Sequence, residues 1–395
     1  MSREDFYTRT AYGQITSATA LKRHLDRYII GQEEAKKTLC TAVSMHLQRY
    51  QMRKRDPDMA GIAPNVIVYG PSGCGKTAII RRLAEHTGLP MTIESAPGLI
   101  PSGARNGKSL DEVLYDLYVK AERDLNRAEA GIIVLDEFDK LSSRGDQSTN
   151  NAQYMYHLQN DLLTFVEGGK FRCWGNDENG KEESVMIDTS NILFIGLGAF
   201  EGLGSASHDI GFLSDPGGDG GGSRNEDEDV RPQLQDFINY GLRRELMGRM
   251  PLQCRVNALT EDDYRRILLD SEGSPLLDME QFFRFNRNSF LLSNTVVDVV
   301  ILAASLSGIG ARSFKSLLHD VLDLPLFLLG DKRNTTFVVD EEFLRSKKKE
   351  DLKMFDDAAL PRLLEQKDFS YCSIVLKKVL KSEARKEADV VDGPF

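Results

Sequence analysis

The chain has 395 residues, 41% hydrophobic and 28% charged, the balance of a folded protein with room for two or three cores and not of a disordered chain. A formal net charge of −10 argues against a general nucleic-acid or anionic-membrane surface. No apolar run reaches the length of a membrane span, and the opening MSREDFYTRT is too charged for a signal peptide, so a cytoplasmic protein is expected.

In chain order, Ser17 to Arg53 reads as two helices broken at Gly31. The second puts Ala35, Leu39, Ala42, Val43 and Leu47 on one stripe and Lys36, Lys37, Gln48 and Arg49 elsewhere, so one face should pack on the domain that follows. The apolar pair Ile29 and Ile30 before it fits either a core or a flat clamp for an adenine ring. The charged stretch QMRKRDPDMAGIAP then links to NVIVYGPSGCGKTAIIRRLAEHTG, which reads as strand, glycine-rich turn and helix. Its GxxxxGK[ST] pattern, Gly70 to Thr77, describes a phosphate cradle. Glycines let successive N–H groups turn inward, and the helix start adds its positive dipole end. The cradle comprises Pro71, Ser72, Gly73, Cys74 and Gly75, followed by Lys76, Thr77 and Ala78. Lys76 is expected on the β- and γ-phosphates of ATP, and the Thr77 hydroxyl on Mg²⁺.

PMTIES is a second strand, and SLDEVLYDLYVKAERDLNRA reads as one long amphipathic helix capped by Ser109. In GIIVLDEFDK, a buried strand from Ile132 to Leu135 delivers Asp136 and Glu137 at its carboxyl end, where ligands bind in parallel α/β sheets. Asp136 is placed to hold Mg²⁺ through water, and Glu137 to polarise the water that attacks the γ-phosphate. A helix from Asn150 to Val166, a two-stranded excursion through KFRCWG and EESVMID, and a buried strand in TSNILFIGLGAF continue the α/β pattern.

From Leu203 to Val230 the sequence turns glycine-rich and acidic, yet Ile210, Gly211, Phe212 and Leu213 form an apolar island that a solvated loop has no local reason to carry. A helix through DFINYGLRRELMGRMP follows. From the N-cap Thr260 a mainly helical region runs to the strand-like TFVVD. Beyond Phe343 a charged extension with helical periodicity is expected, its run RSKKKEDLK a solvated face. Five cysteines (Cys40, Cys74, Cys173, Cys254, Cys372) and six histidines are scattered singly, without CxxC pairs or metal-ligand spacings, so buried thiols and ordinary packing histidines are expected.

With these residues in place, the chain resembles the AAA+ ATPases of the ClpX (Clp/HslU) branch, hexameric unfoldases that feed substrates to the ClpP peptidase. The likeness covers roughly residues 20 to 345. RYIIGQEEAKKTL is similar to that branch's adenine-clamp entry, with Ile29 and Ile30; GPSGCGKT to its Walker A; GIIVLDEFDKL to its Walker B. FINYGLRRELMGRMP is similar to the segment carrying the trans-acting arginine, here Arg249, and GARSF to the sensor-2 motif, here Arg312. The resemblance implies an α/β fold: a P-loop AAA+ large domain, a parallel sheet with flanking helices, plus a small mainly helical lid domain. It implies an ATPase using ATP and Mg²⁺ at the interfaces of a homo-hexamer, with protein substrates and a ClpP-type peptidase as partners. On that template residues 1–63 are a helical segment and linker, 64–257 the ATPase domain with its loop 203–230, 258–345 the lid and 346–395 an extension.

The pattern departs from the family in places. There is neither the length nor the CxxC pairs for an N-terminal zinc-binding adaptor domain. The pore loop, which in the family presents an aromatic residue in GYVG, corresponds to PSGARNGKS, with Ala104 and Arg105 where the aromatic should be. No polar residue stands at the sensor-1 place near Gly196 to Gly198, and none is assigned. Ile210, Gly211 and Phe212 do spell the IGF tripeptide by which the family docks on its peptidase. The leading expectation is therefore a ring ATPase that unfolds or remodels proteins. A regulatory or scaffold ATPase that translocates nothing is compatible with the missing aromatic. A nucleic-acid motor, with Arg105 and Lys108 on phosphates, is disfavoured by the overall acidity and the lack of a DNA-binding module.

Overall fold

Apolar runs of four to six residues form the buried strands of the first unit of the chain, which takes residues up to Leu25 with Gln32–Pro71 and Lys76–Asn257. The computed structural model describes residues 17–56, 61–101, 107–142, 149–203 and 232–356, so Ala104, Arg105, Ile210, Gly211 and Phe212 lie outside the described residues. The strands of this unit are β1 (Val66–Tyr69), β2 (Met91–Ser95), β3 (Ile132–Asp136), β4 (Lys170–Asn176), β5 (Glu182–Asp188), β6 (Leu193–Gly198) and β7 (Leu252–Arg255). Five of them make a parallel sheet in the order β2-β3-β6-β1-β7, while β4 and β5 pair antiparallel as a separate hairpin. β1, β3 and β6 carry near-continuous apolar sequence because helices cover both faces of a parallel sheet.

The helices of this unit are α1 (Ala18–Leu25), α2 (Glu33–Arg55), α3 (Lys76–Thr87), α4 (Leu110–Lys120), α5 (Leu125–Ala128), α6 (Thr149–Glu167), α7 (Leu234–Tyr240) and α8 (Arg244–Gly248). Ile67, Leu114, Phe138, Leu162, Phe194 and Phe237 belong to one core. α2 buries the stripe read from the sequence, but Lys36, read as lying off it, is only 2% exposed and pairs with Glu33 at 2.7 Å. Its aliphatic stem packs as an apolar residue would while the ammonium stays paired. The single helix expected from Ser109 to Ala128 is two. The chain enters the left-handed region at Glu122 and Arg123, and the freed Arg123 guanidinium donates to the Asn176 carbonyl at 3.0 Å. The helix read through DFINYGLRRELMG also breaks, at Gly241.

The second unit takes Asp26–Gly31, Ser72–Gly75 and the chain from Ala258 on. It contains α9 (Glu261–Leu269), α10 (Pro275–Phe285), β8 (Asn288–Leu292), α11 (Asn294–Leu306), α12 (Ser313–Leu328), β9 (Thr335–Val339), α13 (Glu341–Ser346) and β10 (Lys353–Asp356). Its core includes Leu268, Phe283, Val296, Phe314, Phe337 and Phe343. The unit is mainly helical, with a three-stranded sheet in the order β10-β9-β8. Of the helical extension expected past Phe343, the described residues are helical to Ser346, while residues 353–356 pair antiparallel with β9, with Lys353 bound to Asp340 at 2.5 Å; the rest lies outside the described residues.

Cys40, Cys74, Cys173 and Cys254 are buried thiols outside any disulfide, and burial pushes the Cys173 and Cys254 thiols up to about 12. His46 is fully buried with Nε2 2.8 Å from the Ala130 carbonyl, and desolvation pushes it down to about 4. Among the described residues no helix is long and apolar enough to cross a membrane, and no cluster of side chains has the makings of a metal site.

Both units start helices with reciprocal caps. Ser109 Oγ accepts the Glu112 N–H at 3.3 Å while Glu112 accepts the Ser109 N–H at 2.7 Å, and Thr260 and Asp263 do the same at 3.2 and 2.9 Å. Ser109→Ala and Thr260→Ala should each cost about 1 kcal/mol in urea unfolding. An unchanged midpoint in both variants would show that the caps are ornamental.

Candidate active site

β1 ends at Tyr69, and the chain passes into the second unit at Ser72 and returns at Lys76, where α3 begins. Gly73 and Gly75 take left-handed backbone angles of +76° and +96°. At Gly73 only glycine fits: a Cβ there would lie 2.1 Å from the Ile309 carbonyl oxygen, and one on Gly310 would lie 2.8 Å from the Gly73 carbonyl oxygen. The loop backbone and the turn before α12 are thus in direct main-chain contact. The first turn of α3 carries no acid, which leaves its N–H groups and dipole available to an anion. Lys76 Nζ donates to the Gly70 and Pro71 carbonyls at 2.6 and 2.8 Å, so the ammonium is held across the loop. Gly73 and Cys74 are buried, Thr77 is half-buried, and Pro71, Ser72 and Ala78 are exposed. Ile30 is buried and Ile29 partly so.

The acids emerge where β3 leaves the sheet. Asp136 Oδ1 accepts the Glu137 N–H at 2.9 Å, and Glu137 sits at φ +56°, a costly angle for a non-glycine residue that swings its carboxylate out of the strand line into solvent. Ser95, opposite Asp136 in the β2–β3 register, donates its hydroxyl to Glu137 Oε2 at 3.3 Å. The sequence reading missed Ser95; its signal was a hydroxyl at the carboxyl end of the neighbouring strand. Because β6 lies between β1 and β3, the carboxyl ends of those two strands stand about 10 Å apart, two strand spacings. The end of β6 offers no polar side chain: a Cβ on Gly198 would meet the Phe200 ring at 2.5 Å and Asp139 Oδ1 at 2.8 Å.

Arg249 follows α8. Its guanidinium, half-exposed, donates to Glu167 at 2.9 Å, and its carbonyl accepts the Asn65 side-chain amide at 3.0 Å. Arg312, at the turn into α12, is exposed and makes no ion pair among the described residues.

Residues 63–253 match the family model described as AAA domain (Cdc48 subfamily). A Borrelia duttonii protein named ATP-dependent Clp protease ATP-binding subunit ClpX is 32% identical over 330 residues, 81% of this chain and 76% of its own length. The chain belongs to the ClpX family of AAA ATPases. Its likeness extends to the ClpX subunits of Treponema denticola, 30% identical over 319 residues (78% of this chain, 76% of that one), and Porphyromonas gingivalis, 27% over 338 (82% and 80%). As a member of the ClpX family the protein is an ATPase, a ClpX-like chaperone whose P-loop and parallel sheet accord with nucleotide binding.

Removing the hydroxyl that steadies Glu137 should leave ATP binding alone and slow turnover. Ser95→Ala is expected to lower kcat about tenfold, the worth of one hydrogen bond to a charged group, with KM for ATP nearly constant. A kcat equal to that of the unaltered protein would remove Ser95 from the site.

Proposed function

We propose that the protein is a homo-hexameric ring ATPase that unfolds or remodels other proteins, hydrolysing ATP with Glu137 as base. The observation that carries this reading is that β1, which leads into the phosphate-loop sequence, and β3, which ends in the acid pair, flank one intervening strand of the parallel sheet. In this reading residues 64–257 form the ATPase domain, 258–345 its lid and 346–395 an extension. Ile29 and Ile30 clamp the adenine, while the N–H groups from Pro71 to Ala78 and the Lys76 ammonium hold the β- and γ-phosphates. The Thr77 hydroxyl and Asp136 carboxylate are the hard oxygen donors that suit Mg²⁺, which would neutralise charge on the β- and γ-oxygens. Glu137 takes the proton of a water whose oxygen bonds to the γ-phosphorus. The bond to the β–γ bridging oxygen breaks, and ADP and phosphate leave. Arg249, exchanging Glu167 for phosphate, acts on the nucleotide of a neighbouring subunit, and Arg312 reads it from the lid of its own.

Ring assembly is supported by an apolar stripe on the lid. Val299, Leu302 and Leu306 share one face of α11, and with Ile309 they stand exposed, as a surface awaiting a second copy would. The relatives' names, ATP-binding subunits of the Clp protease, support delivery of unfolded chains to a ClpP-type peptidase. Ala104 and Arg105 are the residues proposed to touch substrate, and Ile210, Gly211 and Phe212 those proposed to dock on the peptidase, in the cytoplasm.

The test is ATP-dependent loss of fluorescence from a tagged, stably folded protein, with and without a ClpP-type peptidase. Loss in both arms, and degradation in the second, is expected. ATP turnover with fluorescence retained would replace this reading with that of a regulatory or scaffold ATPase. Mixing Arg249→Ala subunits with Lys76→Ala subunits should restore part of the activity each lacks, because sound pockets then meet sound arginines. Mixtures that assemble yet stay inactive would refute the trans role.

A further inference from the structure

A cavity of about 430 Å³ opens in the first unit between the start of α4 and β4, lined by none of the residues of the acid pair. Its back wall is rigid. The Tyr115 ring packs where a Cβ on Gly175 would lie 2.1 Å away, and its hydroxyl lies 2.5 Å from the Asn176 carbonyl and 2.7 Å from Glu183. Arg123 locks the same Asn176 carbonyl at 3.0 Å. The cavity is therefore built in advance, with the polar atoms of that wall already used.

The opposite wall carries charge. Glu112 and Asp116 lie one turn apart on α4, where like charges repel unless a cation sits between them. Each has one oxygen committed, Glu112 Oε2 to the Ser109 N–H at 2.7 Å and Asp116 Oδ2 to Lys108 Nζ. Their second oxygens have no partner among the described residues. Lys108 cannot balance both acids, because it is shared with Glu94 at 2.5 Å. Burial works against its charge, and the hydrogen bonds to Asp116 and Glu94 outweigh that and hold it protonated. Two carboxylates thus share one ammonium, and Glu112 adds a further negative charge to the cavity wall. Trp174, the single tryptophan of the chain, is 51% exposed and lines the same cavity. An exposed indole beside spare carboxylate oxygens is the combination that takes an organic cation, through ring quadrupole and ion pair together. Finally, β4 belongs to a two-stranded sheet, so ahead of Asn176, whose carbonyl is taken, its other edge has no strand partner among the described residues and can hydrogen-bond an extended main chain.

We propose that this cavity binds a lysine or arginine side chain of an extended polypeptide laid along the free edge of β4. Its occupant being a polypeptide substrate rests on the remodelling reading above. The cavity would give this ATPase a preference for basic segments, while the main-chain contacts stay tolerant of sequence.

Trp174 reports occupancy directly, and nucleotide-free protein suffices, so the result is independent of whether the ring hydrolyses ATP or unfolds anything. Ten-residue peptides of otherwise uncharged side chains carrying one central Arg, Gln or Glu are titrated against the full chain, following tryptophan emission and the anisotropy of a labelled peptide. The Arg peptide should change the emission saturably and bind at least about tenfold tighter than the Gln and Glu peptides. Asp116→Asn, which leaves the Ser109–Glu112 cap intact, should abolish that preference. Glu178→Asn, outside the cavity, should preserve it and so separates local recognition from overall acidity. Equal affinity for the three peptides, or an Asp116→Asn variant that melts normally and still prefers Arg, would overturn the proposal. So would tight binding of the Arg peptide without any change in tryptophan emission.

Discussion

A strand inserted between β1 and β3 keeps the carboxyl ends of those two strands about two strand spacings apart, and the candidate site depends on that gap. Were the two strands neighbours, the loop and the acids would crowd at roughly 5 Å, too close to hold a nucleotide phosphate and an attacking water between them. The inserted strand contributes by what it lacks. Gly196 and Gly198 leave the end of β6 bare, and the Phe138 and Phe200 rings and Asp139 occupy the room that side chains there would need. Burying those rings fixes the turn that starts at Glu137, and the left-handed angle at that residue is held by this packing.

Two buried amides tie the acid turn to the segment that carries Arg249. Gln159 donates to the Leu141 carbonyl at 2.8 Å and accepts the Arg243 N–H at 2.8 Å, so α6 clasps the end of the acid turn and the start of α8 together. Asn65 accepts the Phe194 N–H and donates to the Arg249 carbonyl, both at 3.0 Å, which pins the arginine's backbone to the sheet. Buried amides with satisfied donors and acceptors fix one arrangement more strictly than apolar packing does. Arg249 therefore has its main chain pinned to the sheet while its half-exposed guanidinium is held only by the surface carboxylate of Glu167, an arrangement that suits the trans role proposed for it.

The parts of the site that come from local chemistry were legible in the sequence. Glycine spacing announces the turn at Gly73 and Gly75, and four apolar residues before Asp136 announce a strand end. What depends on distant register was not. Ser95 meets Glu137 only because β2 pairs with β3 residue for residue, and a hydroxyl at the end of PMTIES does not by itself say which strand end it will face. Lys36 reads as polar by type, yet its stem is buried and its charge is met by Glu33. The helix expected through Arg123 breaks because that guanidinium finds better partners on the β4–β5 hairpin than any helix turn supplies. Strands β8 and β10 are short runs beside helices, where periodicity cannot separate the two states and the sheet partner decides.

The central claim, that Glu137 activates the water while the loop and Asp136 bind nucleotide, is tested most directly by single-turnover hydrolysis in Glu137→Gln alongside equilibrium ATP binding. The account predicts binding within a few-fold of the unaltered protein and a hydrolysis step slowed by roughly 10² to 10⁴, the usual worth of a positioned general base. A single-turnover rate close to that of the unaltered protein, with binding intact, would contradict it.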